Sequence, residues 1–299
     1  MMRKNILMIF CILTTGLLSM SGFAQAESDT VKITPIKLTD QIYMLTGKGG
    51  NIGLCIGEDG TFLIDYQFAP LTPKILAAIK SVGGEHPRFL INTHYHGDHT
   101  GGNENLGKEG TLIFSHNNVR ERLNAGSFIQ EFKKKRPGLT PEGLPVVTFS
   151  EDISFHLNND TIQATHVPVA HTDGDSFIHF KKANVIHTGD IFFNGFYPFI
   201  DVQHDGSLKG MIEAVDEVLL LADDSTKIIP GHGPLADKAQ LINYRKMLKT
   251  AFERLRKLKA EGKTAQEAAE LDPLEDLDET WSDGLFETDR WIEIIYSGV

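Results

Sequence analysis

Short apolar runs separated by glycine-rich turns make up most of the chain from Val31 onward. Runs of four to eight apolar or alternating residues bounded by Gly, Asn or Asp are typical of β-strands. The pattern predicts strands, in chain order, over residues 42–45, 51–56, 61–64, 89–92, 112–114, 146–149, 153–157, 161–167, 176–180, 185–187 and 227–229.

Helical spacing of apolar residues occurs between these strands. The clearest case is 72–82, where Pro73 occupies the first turn and Gly83 follows the last apolar residue. The same reasoning predicts helices over 103–106, 117–135, 208–221 and 238–259. Because two series of strands are each followed by helices, we expect an α+β fold in which two sheets pack face to face with helices outside.

The first 26 residues have the pattern of a secretory signal peptide. Arg3 and Lys4 precede a mostly apolar stretch, and Ala24-Gln25-Ala26 matches a cleavage site. We therefore expect a periplasmic or secreted protein with a catalytic domain over 27–262. The acidic segment 263–299 is expected to be an extension that packs on this domain through its tryptophans, Trp281 and Trp291.

Composition narrows the possible partners. The formal net charge of the chain is −11, and it becomes −13 once Arg3 and Lys4 leave with the signal peptide. An acidic surface repels phosphate backbones, so we expect a small-molecule substrate, no nucleic acid, and no membrane after signal cleavage. The oligomeric state stays open. Cys55 is the only cysteine left after cleavage, so no intrachain disulfide can form, and its apolar surroundings predict a buried side chain.

Residues 94–99 read His-Tyr-His-Gly-Asp-His, directly after a predicted strand. Histidine is the commonest side-chain metal ligand, and Asp98 adds a carboxylate. Three further positions repeat this pattern of an apolar strand followed by a small residue and a ligand-type side chain: His171, Asp190 and His232. Four strand ends with ligand-type side chains in one chain predict a metal centre assembled from several loops.

With these residues the chain resembles the metallo-β-lactamase superfamily. It carries the five motifs of that family in order: the aspartate of Phe62-Leu63-Ile64-Asp65, the His94-to-His99 loop, His171, Gly189-Asp190 and Gly231-His232. The resemblance covers roughly residues 33–244 and implies an αββα four-layer sandwich with two zinc ions in a cleft at one edge of the sheets.

The resemblance also implies roles for single residues. The ligands would be His94, His96 and His171 for the first zinc, Asp98, His99 and His232 for the second, and Asp190 bridging both. A hydroxide held between the two metals would be the nucleophile, since bound water has a pKa near about 7. Asp98 would be the catalytic residue that orients this hydroxide and moves its proton. Asp65 would orient the histidine loop.

The implied reaction is hydrolysis of an ester, thioester, lactone or amide. The diiron oxygen-reducing members of the family have a carboxylate where this chain has His96, which favours zinc over iron or manganese. True metallo-β-lactamases have cysteine or serine at the position of Asp190, and some have a lysine three residues later, where this chain has Phe193. Three alternatives stay open: a periplasmic β-lactamase, an iron-dependent thiol oxygenase, and a metal-binding protein without catalysis.

Two segments are further candidates for the substrate pocket. Asn194 and Tyr197, on either side of Gly195, are expected to line it. The segment 136–145, rich in Pro and Gly, is expected to hold a lid.

Overall fold

The fold is built mainly from short strands, seen in a computed structural model that describes residues 30–299. The segment expected to be the signal peptide, 1–26, lies outside the described residues. No helix within 30–299 is long and apolar enough to cross a membrane. The strands are β1 Thr34–Lys37, β2 Ile42–Thr46, β3 Ile52–Cys55, β4 Thr61–Ile64, β5 Pro87–Ile91, β6 Leu112–His116, β7 Ser127–Ile129, β8 Lys134–Arg136, β9 Val147–Phe149, β10 Asp152–Leu157, β11 Asp160–His166, β12 Ser176–Phe180, β13 Val185–His187 and β14 Lys227–Ile229.

Helices connect and cover these strands. They are α1 Thr72–Ser81, α2 Gly97–Thr100, α3 Asn103–Lys108, α4 Asn117–Ala125, α5 Leu208–Leu221, α6 Lys238–Ala260, α7 Ala265–Glu270, α8 Glu275–Trp281 and α9 Thr288–Ile295. The helix α6 begins with a capping box, in which Asp237 and Gln240 exchange side-chain and backbone hydrogen bonds.

Two mixed sheets form the centre of the fold. The first has seven strands in the order β1-β2-β3-β4-β5-β6-β9, and the second has five in the order β10-β11-β12-β13-β14. In the first sheet β1 to β4 pair antiparallel, whereas β4, β5, β6 and β9 run parallel to one another. The second sheet is antiparallel except for the parallel pair β13 and β14. Parallel neighbours end at the same edge of a sheet, so the loops after them lie side by side.

Four layers result from the way these sheets pack. Apolar side chains from both sheets, such as Ile64 and Phe180, form one buried cluster between them. The outer face of the first sheet packs against α1 through Ile75 and Ile79. The outer face of the second sheet packs against α5 and α6, for example through Ile186. The α+β sandwich predicted from the sequence is confirmed.

The helix predicted over 117–135 is wrong in its second half. It ends at Ala125 because Gly126 adopts φ +77° and its N–H caps the helix on the Arg122 carbonyl. The chain then turns back as the two-stranded ribbon β7–β8. Gly126 lies so close to the Arg136 carbonyl that a Cβ there would be 2.6 Å from it, so the turn requires glycine.

The C-terminal segment packs on the body of the fold through its aromatic residues. Trp291 is fully buried and stacks on Tyr197, with ring centroids 4.3 Å apart. Its indole N–H donates a 2.6 Å hydrogen bond to the Pro198 carbonyl. Trp281 packs into the same cluster. The helices α7 to α9 therefore share a core with the second sheet.

We predict that Trp291→Ala lowers the free energy of unfolding by about 3–5 kcal/mol, because it leaves a cavity and unpairs a buried carbonyl. Chemical denaturation measures the change. Leu220→Ala is the matched control, since Leu220 is 86% exposed and its loss should cost less than about 0.5 kcal/mol. Equal stability of the two variants would contradict the packing described above.

Candidate metal centre

Loops at one edge of the sandwich deliver the candidate ligands. The loop after β5 carries His94, His96, Asp98 and His99, and the loop between β11 and β12 carries His171. Asp190 follows β13, and His232 follows β14. All seven residues that the sequence analysis named as ligands meet in this place, although they span 139 positions of the chain from His94 to His232.

The first group consists of His94, His96, His171 and Asp190, all buried. His96 Nδ1 and His171 Nε2 face each other at 2.8 Å. Asp190 Oδ2 lies 3.4 Å from His171 Nε2 and 3.6 Å from His94 Nε2. Three imidazoles and a carboxylate thus converge on one small volume, which is the donor set expected of a zinc site.

The second group lies on the other side of the Asp190 carboxylate. It consists of Asp98, His99 and His232. His232 Nε2 lies 3.2 Å from Asp98 Oδ2 and 3.4 Å from His99 Nε2. Asp190 Oδ1 lies 3.1 Å from His99 Nε2, and Asp190 Oδ2, which is close to the first group, also lies 3.5 Å from His232 Nε2, so this carboxylate contacts both groups. This placement suits a carboxylate that bridges two cations.

Four of the ligand histidines, His94, His96, His99 and His171, are held by their outer nitrogens. For His96 the partner is the Asp201 carboxylate, 2.9 Å from Nε2. His99 Nδ1 lies 2.7 Å from Asp65 Oδ2, and His171 Nδ1 donates to the Phe199 carbonyl at 2.7 Å. The Thr93 hydroxyl donates to Asp65 and lies 3.0 Å from His94 Nδ1. These partners place the ring protons on the outer nitrogens and leave lone pairs on the inner ones. Asp65 thus touches the loop that it was expected to orient.

The inner nitrogens fit a bound cation. With protons on the outer nitrogens, His96 Nδ1 and His171 Nε2 are both acceptors, and two acceptors 2.8 Å apart repel each other unless positive charge lies between them. His94 Nε2 is buried and has no hydrogen-bond partner among residues 30–299. A divalent metal satisfies all three nitrogens, whereas a single proton satisfies one pair.

Charge within the cluster shifts its pKa values in opposite directions. Burial lowers the pKa of His171 to about 4. Burial also acts to lower the pKa of His232, but the carboxylates of Asp190 and Asp98 outweigh it and raise that pKa to about 9. Burial acts to raise the pKa of Asp98, yet the imidazoles of His99 and His232 hold it well below its usual range. The carboxylates therefore stay ionised and present negative charge to a cation.

The sequence analysis did not identify Asp201, whose carboxylate holds the ring of His96. Its carboxylate lies 2.9 Å from His96 Nε2, 2.8 Å from His204 Nδ1, and accepts a short hydrogen bond from the Tyr95 hydroxyl. Asp201 is 1% exposed. It follows the apolar pair Phe199-Ile200, so the pattern of an apolar run ending in a carboxylate was present in the sequence.

The loop that carries His171 is held by its own side chains. Asp175 accepts hydrogen bonds from the backbone N–H and the hydroxyl of Thr172, at 2.7 and 2.6 Å. Asp173 forms a bidentate pair with Arg122, at 2.8 and 2.7 Å. Burial raises the pKa of Asp175 to about 8. Both aspartates thus hold this loop through hydrogen bonds and lie outside the two ligand groups.

A cleft of about 370 Å³ opens above the two groups. Its lining combines ligand residues, aromatic side chains and cations: Lys48, Phe68, His96, Gly97, Asp98, Ile129, Phe132, Lys134, Arg136, Asp190, Phe193, Phe199, His232 and Leu285. Phe193 stacks on the His232 ring, with centroids 5.1 Å apart. The cleft therefore places apolar surface directly beside the candidate metal ligands.

Two expectations about this pocket are wrong. Asn194 donates to the Pro234 carbonyl and Tyr197 stacks on Trp291, so both lie in packing contacts and neither lines the cleft. The expected lid at 136–145 contributes only Arg136 to the lining. The element that covers the cleft is the β7–β8 ribbon, residues 127–136, which lies before most of the expected lid and ends at Arg136.

Comparison with known proteins gives a family match. The model of a family described as "Metallo-beta-lactamase superfamily" matches residues 45–232. This stretch contains all seven candidate ligands.

Two relatives are named for the same activity. The chain is 26% identical over 148 residues to the hydroxyacylglutathione hydrolase of Pelagibacter ubique, and this match covers 49% of the chain and 52% of that protein. It is 29% identical over 145 residues to a probable hydroxyacylglutathione hydrolase of Schizosaccharomyces pombe, covering 48% of the chain and 47% of that protein. The match thus spans about half the length of the curated relatives.

A solved structure supports the fold. A metallo-β-lactamase from Pontibacter korlensis superposes with a TM-score of 0.58 at 18% identity, and the match covers 73% of the chain and 99% of that structure.

We predict that Asp201→Asn weakens metal binding about 10–100-fold, because His96 loses the charged acceptor that fixes its ring. Titration against a chromophoric chelator measures the affinity without any need for activity. Asp205→Asn is the control on the same loop, since Asp205 is 74% exposed and asparagine tolerates its left-handed backbone. Unchanged affinity in Asp201→Asn would mean that His96 needs no charged partner.

Proposed function

The chain belongs to the metallo-β-lactamase superfamily, and we propose that it is a hydrolase that binds two zinc ions and cleaves an ester, thioester, lactone or amide bond in a small molecule. The observation that carries this proposal is the pair of ligand groups around Asp190, in which the outer nitrogens of four of the five histidines are held and the inner nitrogens converge. Such an arrangement suits a pair of cations better than a single one.

Zinc is favoured by the donor set. Five imidazoles and two carboxylates, with no thiolate, suit a borderline cation that accepts nitrogen and oxygen ligands. Bound zinc would supply a Lewis acid and a water of lowered pKa. His96 supports zinc over iron because it supplies an imidazole where the oxygen-reducing relatives have a carboxylate.

Asp98 is the residue that we assign to proton transfer. Its side chain is 28% exposed and faces the cleft, whereas that of Asp190 is 4% exposed. It remains ionised because His99 and His232 lower its pKa. A carboxylate in this position can accept a hydrogen bond from an attacking water and pass the proton to a leaving group.

No covalent nucleophile is needed for this chemistry. Cys55 is the one free cysteine among residues 30–299, and it lies buried between the two sheets, away from the cleft. Burial raises the pKa of its thiol. The cleft lining contains neither serine nor threonine. Direct attack by water is therefore the mechanism that the chain's own residues support.

Thioesters are the first substrates to test. The two curated relatives are named for hydrolysis of hydroxyacylglutathione, a thioester, and both matches are partial. The aromatic lining of the cleft also suits an apolar acyl group. For β-lactams, the position at which some lactamases have a lysine is occupied by Phe193, whose ring covers His232.

We expect the purified enzyme to bind about two zinc ions per chain and to hydrolyse at least one carbonyl substrate in a panel of thioesters, lactones, esters, amides and β-lactams. Elemental analysis of the same sample gives the metal content. Bound iron together with thiol-dependent oxygen consumption would contradict the proposal and favour the oxygenase alternative. Hydrolysis confined to β-lactams would favour the lactamase.

We further predict that Asp98→Asn lowers kcat at least about 100-fold, because the variant cannot accept a proton. Metal content of the same preparation separates this loss from a loss of zinc. Asp152→Asn, at an exposed position on β10, is the control and should retain full activity. If Asp98→Asn kept both metals and full turnover, another group would have to move the proton.

A further inference from the structure

The β7–β8 ribbon presents one face to the candidate metal centre and the other face away from it. Ile129 pairs with Lys134, and Phe128 pairs with Lys135. Side chains alternate along a strand, and directly paired residues share a face. Ile129 and Lys134 line the cleft, whereas Phe128 and Lys135 do not, and Phe128 is 52% exposed.

Arg136 anchors this ribbon to the metal-binding loop. Its guanidinium donates to the Tyr95 carbonyl and the Thr100 hydroxyl, both at 3.2 Å. A Cβ at Gly97 would lie 2.9 Å from this guanidinium, so the loop contacts the arginine closely. These hydrogen bonds go to neutral acceptors and fix the guanidinium against the loop, which holds the ribbon in place over the cleft.

Lys134 is the second cation that the ribbon presents to the cleft. None of the carboxylates within residues 30–299 forms an ion pair with it. Its ammonium lies 5.6 Å from the centroid of the Phe68 ring, at the wall of the cleft. The ammonium therefore has an aromatic ring as its neighbour and no carboxylate partner within residues 30–299, so its charge can be offered to an anionic group in the cleft.

The remaining wall of the cleft is aromatic and extends to the C-terminal segment. Phe132, at the tip of the ribbon, is 43% exposed and contacts Phe199 edge-on at 5.1 Å. It also stacks on Phe286, with centroids 5.6 Å apart. Leu285 completes this wall. The ribbon tip therefore joins the cleft to the segment beyond residue 232, where the family match ends.

We propose that the substrate is an anionic amphiphile whose apolar acyl group lies against Phe132 and Phe199 and whose carboxylate, remote from the scissile bond, binds Lys134. This proposal rests on the hydrolase function proposed above and names the substrate class for that site. The cleft volume of about 370 Å³ suits one small molecule. The β7–β8 ribbon is the element that selects for both features.

The test is a pair of aryl-acyl thioesters that differ only in a carboxylate or its methyl ester at the far end of the thiol. The metal-loaded wild type should show a lower KM for the acid. Lys134→Ala should raise the KM for the acid about tenfold, leave the KM for the neutral ester unchanged, and leave kcat within about twofold. Lys135→Ala, on the other face of the ribbon, is the matched control and should change neither KM.

The aromatic wall is tested in the same way. Phe132→Ala should raise the KM for both thioesters, whereas Phe128→Ala should alter neither. Equal KM values of the wild type for the acid and the ester would overturn the proposal. So would equal effects of Lys134→Ala and Lys135→Ala.

A binding measurement separates this proposal from the proposed function. Naphthalene-2-sulfonate and its neutral analogue methyl 2-naphthyl sulfone are titrated into the metal-loaded protein, and naphthyl fluorescence reports binding. About tenfold tighter binding of the sulfonate than of the sulfone, together with loss of this difference in Lys134→Ala, supports the amphiphile site. If this result is obtained and no thioester is hydrolysed, the proposed hydrolase function is wrong and the amphiphile site still stands. Hydrolysis of thioesters without any such charge preference overturns the amphiphile proposal and leaves the hydrolase function intact.

Discussion

The candidate active centre depends on one unfavourable contact, in which His96 Nδ1 and His171 Nε2 face each other as acceptors at 2.8 Å. Neither ring can turn away, because Asp201 and the Phe199 carbonyl hold their outer nitrogens. Burial removes the water that could relieve the repulsion, and only positive charge between the two nitrogens does so. The affinity for a cation thus depends on Asp201 and the Phe199 carbonyl, which orient two of the ligands without being ligands themselves.

The segment 197–201 links this contact to the rest of the fold. Its Phe199 carbonyl and Asp201 carboxylate hold two ligand histidines, while Tyr197 and Pro198 contact Trp291 of the C-terminal segment. The C-terminal helices therefore stabilise the segment that holds His96 and His171 in place. The loop between α8 and α9 supplies Leu285 to the cleft, so the C-terminal segment contributes to both stability and the cleft lining.

The sandwich and the positions of the seven candidate ligands could be predicted from the sequence because both depend on local patterns. Strand periodicity gives the sheets, and a ligand-type residue at the end of an apolar run, such as Asp190, marks the edge where loops converge. The β7–β8 ribbon could not be predicted, since a helical pattern continues past Gly126 and only the contact with Arg136 shows why glycine ends the helix there. Tyr197 was misassigned because its partner, Trp291, is distant in the sequence.

The alternation of side chains along β7 and β8 has an evolutionary consequence. Substitutions at Ile129 and Lys134 alter what the cleft accepts, whereas substitutions at Phe128 and Lys135 face away from it. None of these four residues belongs to either ligand group, so descendants of this protein can diverge in selectivity while the metal chemistry is inherited unchanged.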